Sequence, residues 1–154
     1  MARDGQSGVL SKIKQGSCLT FQFAHTDQWI GVNEERADAR VLVPTHEEEF
    51  SEQFLASVYE YNGGNQARVV LAWGDDPRYS WNVVQEPGLE NAIMLGPPEP
   101  EFLFNENRDG LIQIINAGSY VGIHQGPPPY LATGFTDAPW LCSLFAITFC
   151  EYEN

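Results

Sequence analysis

The chain has 154 residues, 43% of them hydrophobic and only 19% charged, with a formal net charge of −13. Eight basic against twenty-one acidic residues exclude a nucleic-acid binder, because phosphate contacts need clustered Lys and Arg, and they disfavour adhesion to anionic lipid. Four Trp, six Tyr and nine Phe supply the bulk for a real core, so the chain is expected to be one acidic globular domain spanning residues 1–154.

The first ten residues, Met1 to Leu10, hold no apolar run that could serve as a signal-peptide core. No later window approaches the roughly 18 apolar residues of a membrane span, so membrane insertion is not expected. Residues 1–15 are polar, carry Arg3, Lys12 and Lys14, and are expected to be loose at their start. The three cysteines, Cys18, Cys142 and Cys150, form no Cys-x-x-Cys pair. An odd, sparse count predicts reduced thiols and a cytoplasmic protein, with Cys18 and Cys142 as small core residues beside leucines.

Helical periodicity is confined to Glu47–Tyr61, where Phe50, Phe54, Leu55 and Val58 fall at i, i+4, i+5 and i+8. Elsewhere short apolar runs are closed by turn residues: Val69 to Trp73 by Gly-Asp-Asp-Pro, Leu111 to Ile115 by Asn-Ala-Gly-Ser. Fourteen Gly and ten Pro are spread through the chain, the pattern of an all-β sandwich or barrel. Three segments look alike: Trp29-Ile-Gly-Val-Asn33, Trp81-Asn-Val-Val-Gln85 and Tyr120-Val-Gly-Ile-His124. Each follows an apolar strand and a polar turn, and each precedes two more apolar stretches. Twelve strands are predicted near 19–23, 29–33, 40–43, 53–59, 69–73, 81–85, 92–95, 101–104, 111–115, 120–124, 130–133 and 144–149. A first strand near 8–14 is the alternative register, and strand is preferred to helix over 53–58.

This layout resembles the β-trefoil, an all-β fold of twelve strands in three pseudo-repeats, over about residues 16–153. The resemblance implies a six-strand barrel capped by three hairpins, and it points to a divergent fungal-type lectin. The ricin-B pattern is not met. Gly31, Asn82 and Gly122 occupy its Asp position, and Gln53-Phe54-Leu55 replaces Gln-x-Trp in the first repeat.

A lectin needs an aromatic face for the apolar side of a pyranose and planar polar groups for its hydroxyls. The third repeat supplies His124, Gln125, Tyr130, Asp137 and Trp140 in or beside loops, where binding residues concentrate. Tyr130 and Trp140 could equally close the bottom of the barrel. Asp75, Asp76, Arg78 and Tyr79 read as a solvated turn, and Glu47-Glu48-Glu49 as a solvated face. His25, His46 and His124 have no metal-ligand spacing and no Gly-x-Ser-x-Gly occurs, so neither metal, cofactor nor catalysis is expected. The expected partners are glycans or glycoproteins, with agglutination requiring several sites or a homo-oligomer. The alternative is a protease inhibitor presenting a Pro-stiffened loop, Gly96-Pro-Pro-Glu-Pro100 or Gly126-Pro-Pro-Pro-Tyr130.

Overall fold

The computed structural model describes residues 8–33, 40–61, 65–97, 102–125, 129–136 and 144–150. Twelve strands follow in chain order: β1 Ser17–Phe23, β2 Trp29–Asn33, β3 Val41–Thr45, β4 Phe54–Tyr61, β5 Gln66–Trp73 and β6 Asp76–Glu86. The second half holds β7 Leu89–Gly96, β8 Phe102–Glu106, β9 Ile112–Asn116, β10 Ser119–His124, β11 Tyr130–Phe135 and β12 Phe145–Phe149. Short 3-10 turns stand at Leu10–Lys12 and Glu48–Phe50. The helical spacing of 47–61 thus yields one turn of 3-10 helix and then a strand.

Alternation explains the strands. Leu19, Phe21 and Phe23 of β1 point inward, as do Ala67, Val69, Leu71 and Trp73 of β5, with less buried residues between them. Phe21 sits at the centre of the core, with ring centroids 5.4 Å from Trp81, 6.0 Å from Phe104, 6.1 Å from Phe54 and 6.4 Å from Phe145. Leu10 and Ile13 join this core from the N-terminal side. That entry is fixed by Glu106, whose carboxylate accepts hydrogen bonds from the backbone N–H groups of Val9 (2.9 Å) and Leu10 (3.1 Å).

Antiparallel ladders join all twelve strands into one sheet. Its longest closed circuit takes ten: β1, β4, β5, β8, β9, β10, β11, β7, β3, β2 and back to β1. The other two are bonded on both sides, β6 to β5 and β7, β12 to β1 and β9. A shorter circuit returns from β9 to β1 through β12. Closure gives every described strand a partner on both sides, although β1–β2, β3–β7, β7–β11 and β9–β12 each meet at one residue pair.

These ladders correct the expected fold class. The expectation was a regular β-trefoil, with three like repeats and hairpins set as separate caps on a six-strand barrel. The hairpins are instead bonded into the wall, giving a closed ten-strand barrel with two further strands. The thirds are not equivalent. β7 has eight residues, and its edge away from β6 bonds to β3 at Met94–Val41 and to β11 at Ala92–Ala132. Between β3 and β11 there is no ladder among the described residues. Nor are the three recurring aromatics alike: Trp81 is fully buried, whereas Trp29 and Tyr120 are half-buried.

A second correction concerns the cysteines. Cys18 and Cys150 form a disulfide, with Cα atoms 5.2 Å apart and a sequence separation of 132. The pairing of Leu19 with Phe149 brings the ends of β1 and β12 together, and the Cys150 N–H donates to the Cys18 carbonyl at 2.9 Å. Two thiols expected to be reduced are thereby joined. Cys142 lies outside the described residues.

Candidate functional site

Of the five residues expected to bind a sugar, His124 and Tyr130 are brought together. They are cross-strand partners on β10 and β11, and their rings stack at 4.7 Å with an interplanar angle of 12°. Tyr130 is only 5% exposed, and it belongs to a small cluster with Val41, Leu89, Ala92, Met94 and Ala132, where β3, β7 and β11 meet. Its hydroxyl donates to the Glu90 carbonyl at 3.3 Å, and burial pushes its pKa up, with the nearby Glu90 charge adding to the effect. A ring held this way supports the hairpins and offers no open face to a ligand. Gln125 is exposed beside His124. Asp137 and Trp140 lie outside the described residues, as do 98–100 and 126–128 of the two Pro-rich loops.

A second group of polar and aromatic residues gathers where β3 begins and β5 turns into β6. The Arg40 guanidinium lies 5.1 Å from the Trp73 ring and 5.3 Å from the Tyr79 ring, a cation between two aromatic faces. Arg78 donates to both carboxylate oxygens of Asp76, at 2.9 and 2.8 Å, and holds that carboxyl below its ordinary range. Each Arg here has a partner, and the turn is solvated as expected, with Asp75 and Arg78 exposed.

A depression able to hold a ligand lies elsewhere among the described residues, between the β2–β3 hairpin and the turn Glu48–Phe50. It encloses about 470 Å³ and is lined by Gly31, Val32, Asn33, Val43, Pro44, Thr45, Phe50 and Glu52. That volume falls within the roughly 300–1,000 Å³ of small-molecule sites. The sequence builds it through Gly31. A Cβ there would stand 2.8 Å from the Phe50 carbonyl oxygen, so only glycine lets the 3-10 turn approach β2 this closely. The Glu52 N–H then donates to the Ile30 carbonyl at 2.9 Å, and the Trp73 indole N–H donates to Glu52 Oε1 at 2.8 Å. Thus Glu52 is held in the wall while the Phe50 ring stays 57% exposed.

Chemically, the groove offers an aromatic face, an amide, a hydroxyl and a carboxylate, and none of the described residues lining it is Lys or Arg. Among the described residues, no three His, Cys, Asp or Glu side chains gather as a metal site. Neither Phe50 nor Glu52 was singled out by the sequence reading, which assigned Phe50 to a helical stripe and its glutamates to a solvated face. The available signal was the Gly inside an otherwise apolar strand, a mark of close backbone approach.

Comparison with known proteins is informative only at the level of fold. No protein-family model and no curated protein sequence matches the chain. Among solved structures, it is similar to a salivary protein from Culex quiquefasciatus of the Cysteine and Tryptophan-Rich family, with 13% identity and a TM-score of 0.67. That alignment covers 88% of this chain and 94% of the other. It is also similar to lysenin in complex with phosphocholine (12% identity, TM-score 0.63, covering 92% of this chain) and to the lysenin pore (11%, 0.61, 90%). The chain spans about half the length of those lysenin chains, 47% and 48%. These neighbours correct the resemblance to fungal-type lectins, since the similar structures include a salivary protein and lysenin. Among the described residues, no helix is long and apolar enough to cross a membrane, which says nothing of strands.

Proposed function

We propose that the chain is a non-catalytic carbohydrate-binding protein whose site is the groove between the β2–β3 hairpin and the turn Glu48–Phe50. One observation carries the reading: an exposed Phe50 ring shares an open depression with Asn33, Thr45 and Glu52. The ring suits the apolar face of a pyranose, and the amide, hydroxyl and carboxylate suit its hydroxyls. Asn33 and Thr45 stand on strands of the wall and Glu52 is bonded to Ile30 and Trp73, so little ordering of these groups is lost when a ligand arrives. A site this open gives weak binding per sugar, and useful avidity then requires several copies.

Recognition of a phospholipid headgroup is the reading that lysenin with phosphocholine invites. The groove fits it less well, because none of the described residues lining it is a cation that would receive a phosphate. The disulfide further supports residence in an oxidising compartment rather than the cytoplasm. A glycan array on the wild type and on Phe50→Ala, run beside papain and trypsin inhibition assays, tests the assignment. Array signals lost in a folded Phe50→Ala variant support it. A blank array with stoichiometric protease inhibition replaces it with the inhibitor reading.

A further inference from the structure

We propose that the groove selects ligands bearing an ammonium group, and that its occupant is an amino sugar with a free amine. This rests on the glycan reading above and narrows its substrate class. Charge complementarity carries the argument. Glu52 lines the groove, and Glu47, Glu48 and Glu49 stand exposed on the same short segment as the Phe50 ring. Among the described residues none that lines the groove is basic, and Glu52 with the exposed run Glu47–Glu49 gives this side of it an excess of negative charge, on a chain of net charge −13. An anionic mouth repels uronic acids, sulfated sugars and phosphates, and it concentrates cations. The aromatic ring adds the second half of the recognition. An ammonium group within about 6 Å of a ring face is attracted by its quadrupole, and nearby carboxylates reinforce the pull. A neutral hexose satisfies only the ring and the hydrogen-bonding groups, whereas a glucosamine unit satisfies all of them at once.

The test uses isothermal titration with three probes: a β-1,4-linked glucosamine trimer, its fully N-acetylated counterpart, and choline as an ammonium without a sugar ring. The glucosamine trimer is expected to bind about tenfold more tightly than the acetylated one at low ionic strength, a preference that shrinks as salt screens the exposed carboxylates. The double variant Glu48→Gln, Glu49→Gln changes only exposed side chains, and its fold is checked by circular dichroism. It should lose most of the preference while still binding both trimers, and Phe50→Ala should weaken both. Equal affinity for the two trimers, or a preference unchanged in the double variant, overturns the ammonium inference and leaves the glycan reading standing. Binding of choline with neither trimer bound, or silence from all three probes, overturns both.

Discussion

Removing the Cys18–Cys150 disulfide through Cys18→Ala, Cys150→Ala should cost this protein more than any single surface change. The bond spans a sequence separation of 132, nearly the whole chain. Closing a loop of that length in the unfolded state removes conformational freedom equivalent to about 5 kcal/mol, at the upper end for such bonds. For a chain of this size, each kcal/mol moves the melting temperature by about 2–4 °C, so the variant should melt roughly 10–20 °C lower. Cys18 is 4% exposed, and alanine keeps its site apolar. The assay has two steps. Thiol titration in denaturant without reductant should find one free thiol per chain, and three after reduction, because the chain has three cysteines of which two are joined. Calorimetry of wild type and double variant then gives the shift. Three titratable thiols before reduction, or a shift under about 3 °C, would refute the reasoning.

Further outcomes follow from the core, one turn and one tyrosine. Trp81 is fully buried, with its indole N–H lacking a hydrogen-bond partner among the described residues. Trp81→Ala should therefore lose about 3–5 kcal/mol in urea unfolding, and Trp81→Phe only about 1, since it discards an unsatisfied donor along with some volume. Equal losses would show that the core requires the indole itself and that aromatic bulk alone does not suffice. Ala117 and Gly118 form the two-residue β9–β10 turn with φ of 52° and 84°, a conformation that asparagine tolerates better than alanine. Ala117→Asn should raise unfolding stability by about 0.5–1 kcal/mol, and a lower value would contradict the turn assignment. Tyr130 has its folded pKa raised above the ordinary value near 10, so its contribution is complete below that pH. It is lost as pH rises through the raised value, because the unfolded state sheds the proton first. Denaturant midpoints between pH 9 and 11.5 should fall more steeply for wild type than for Tyr130→Phe, and parallel curves would count against a buried phenol.

Strand positions were readable because alternation and turn residues are local. The segment Trp29–Asn33 was placed to the residue, and the run of Val69 to Trp73 needed only a longer start at Gln66. Partners were not readable, because alternation records which face of a strand is buried and not which strand lies beside it. That is why the recurrence of Trp29, Trp81 and Tyr120 suggested three like repeats, while β7 bonds to both β3 and β11. Likewise, Cys18 and Cys150 become neighbours only once Leu19 is known to face Phe149. As for the site, His124 and Tyr130 were chosen as loop residues able to meet a sugar, whereas they stack across β10 and β11 and the phenol is buried with Val41 and Met94 from distant strands. The groove residues escaped notice for the opposite reason. Phe50 and Glu52 sit in an irregular stretch whose written sign is Gly31, nineteen positions before Phe50.

The covalent tie between β1 and β12 also decides how the molecule meets mechanical force. Tension applied at the two ends of the chain reaches Cys18 and Cys150, whose Cα atoms are 5.2 Å apart, and passes through the disulfide between them. The barrel in between is short-circuited, so its hydrogen bonds are neither sheared nor unzipped while that link is intact. Among the described residues, what can then yield is the segment before Cys18, whose Leu10 and Ile13 would have to leave the core and whose bonds to Glu106 would have to break. Reduction would change the response from a fixed knot to an unravelling thread, with β1 and β12 the first strands to peel apart.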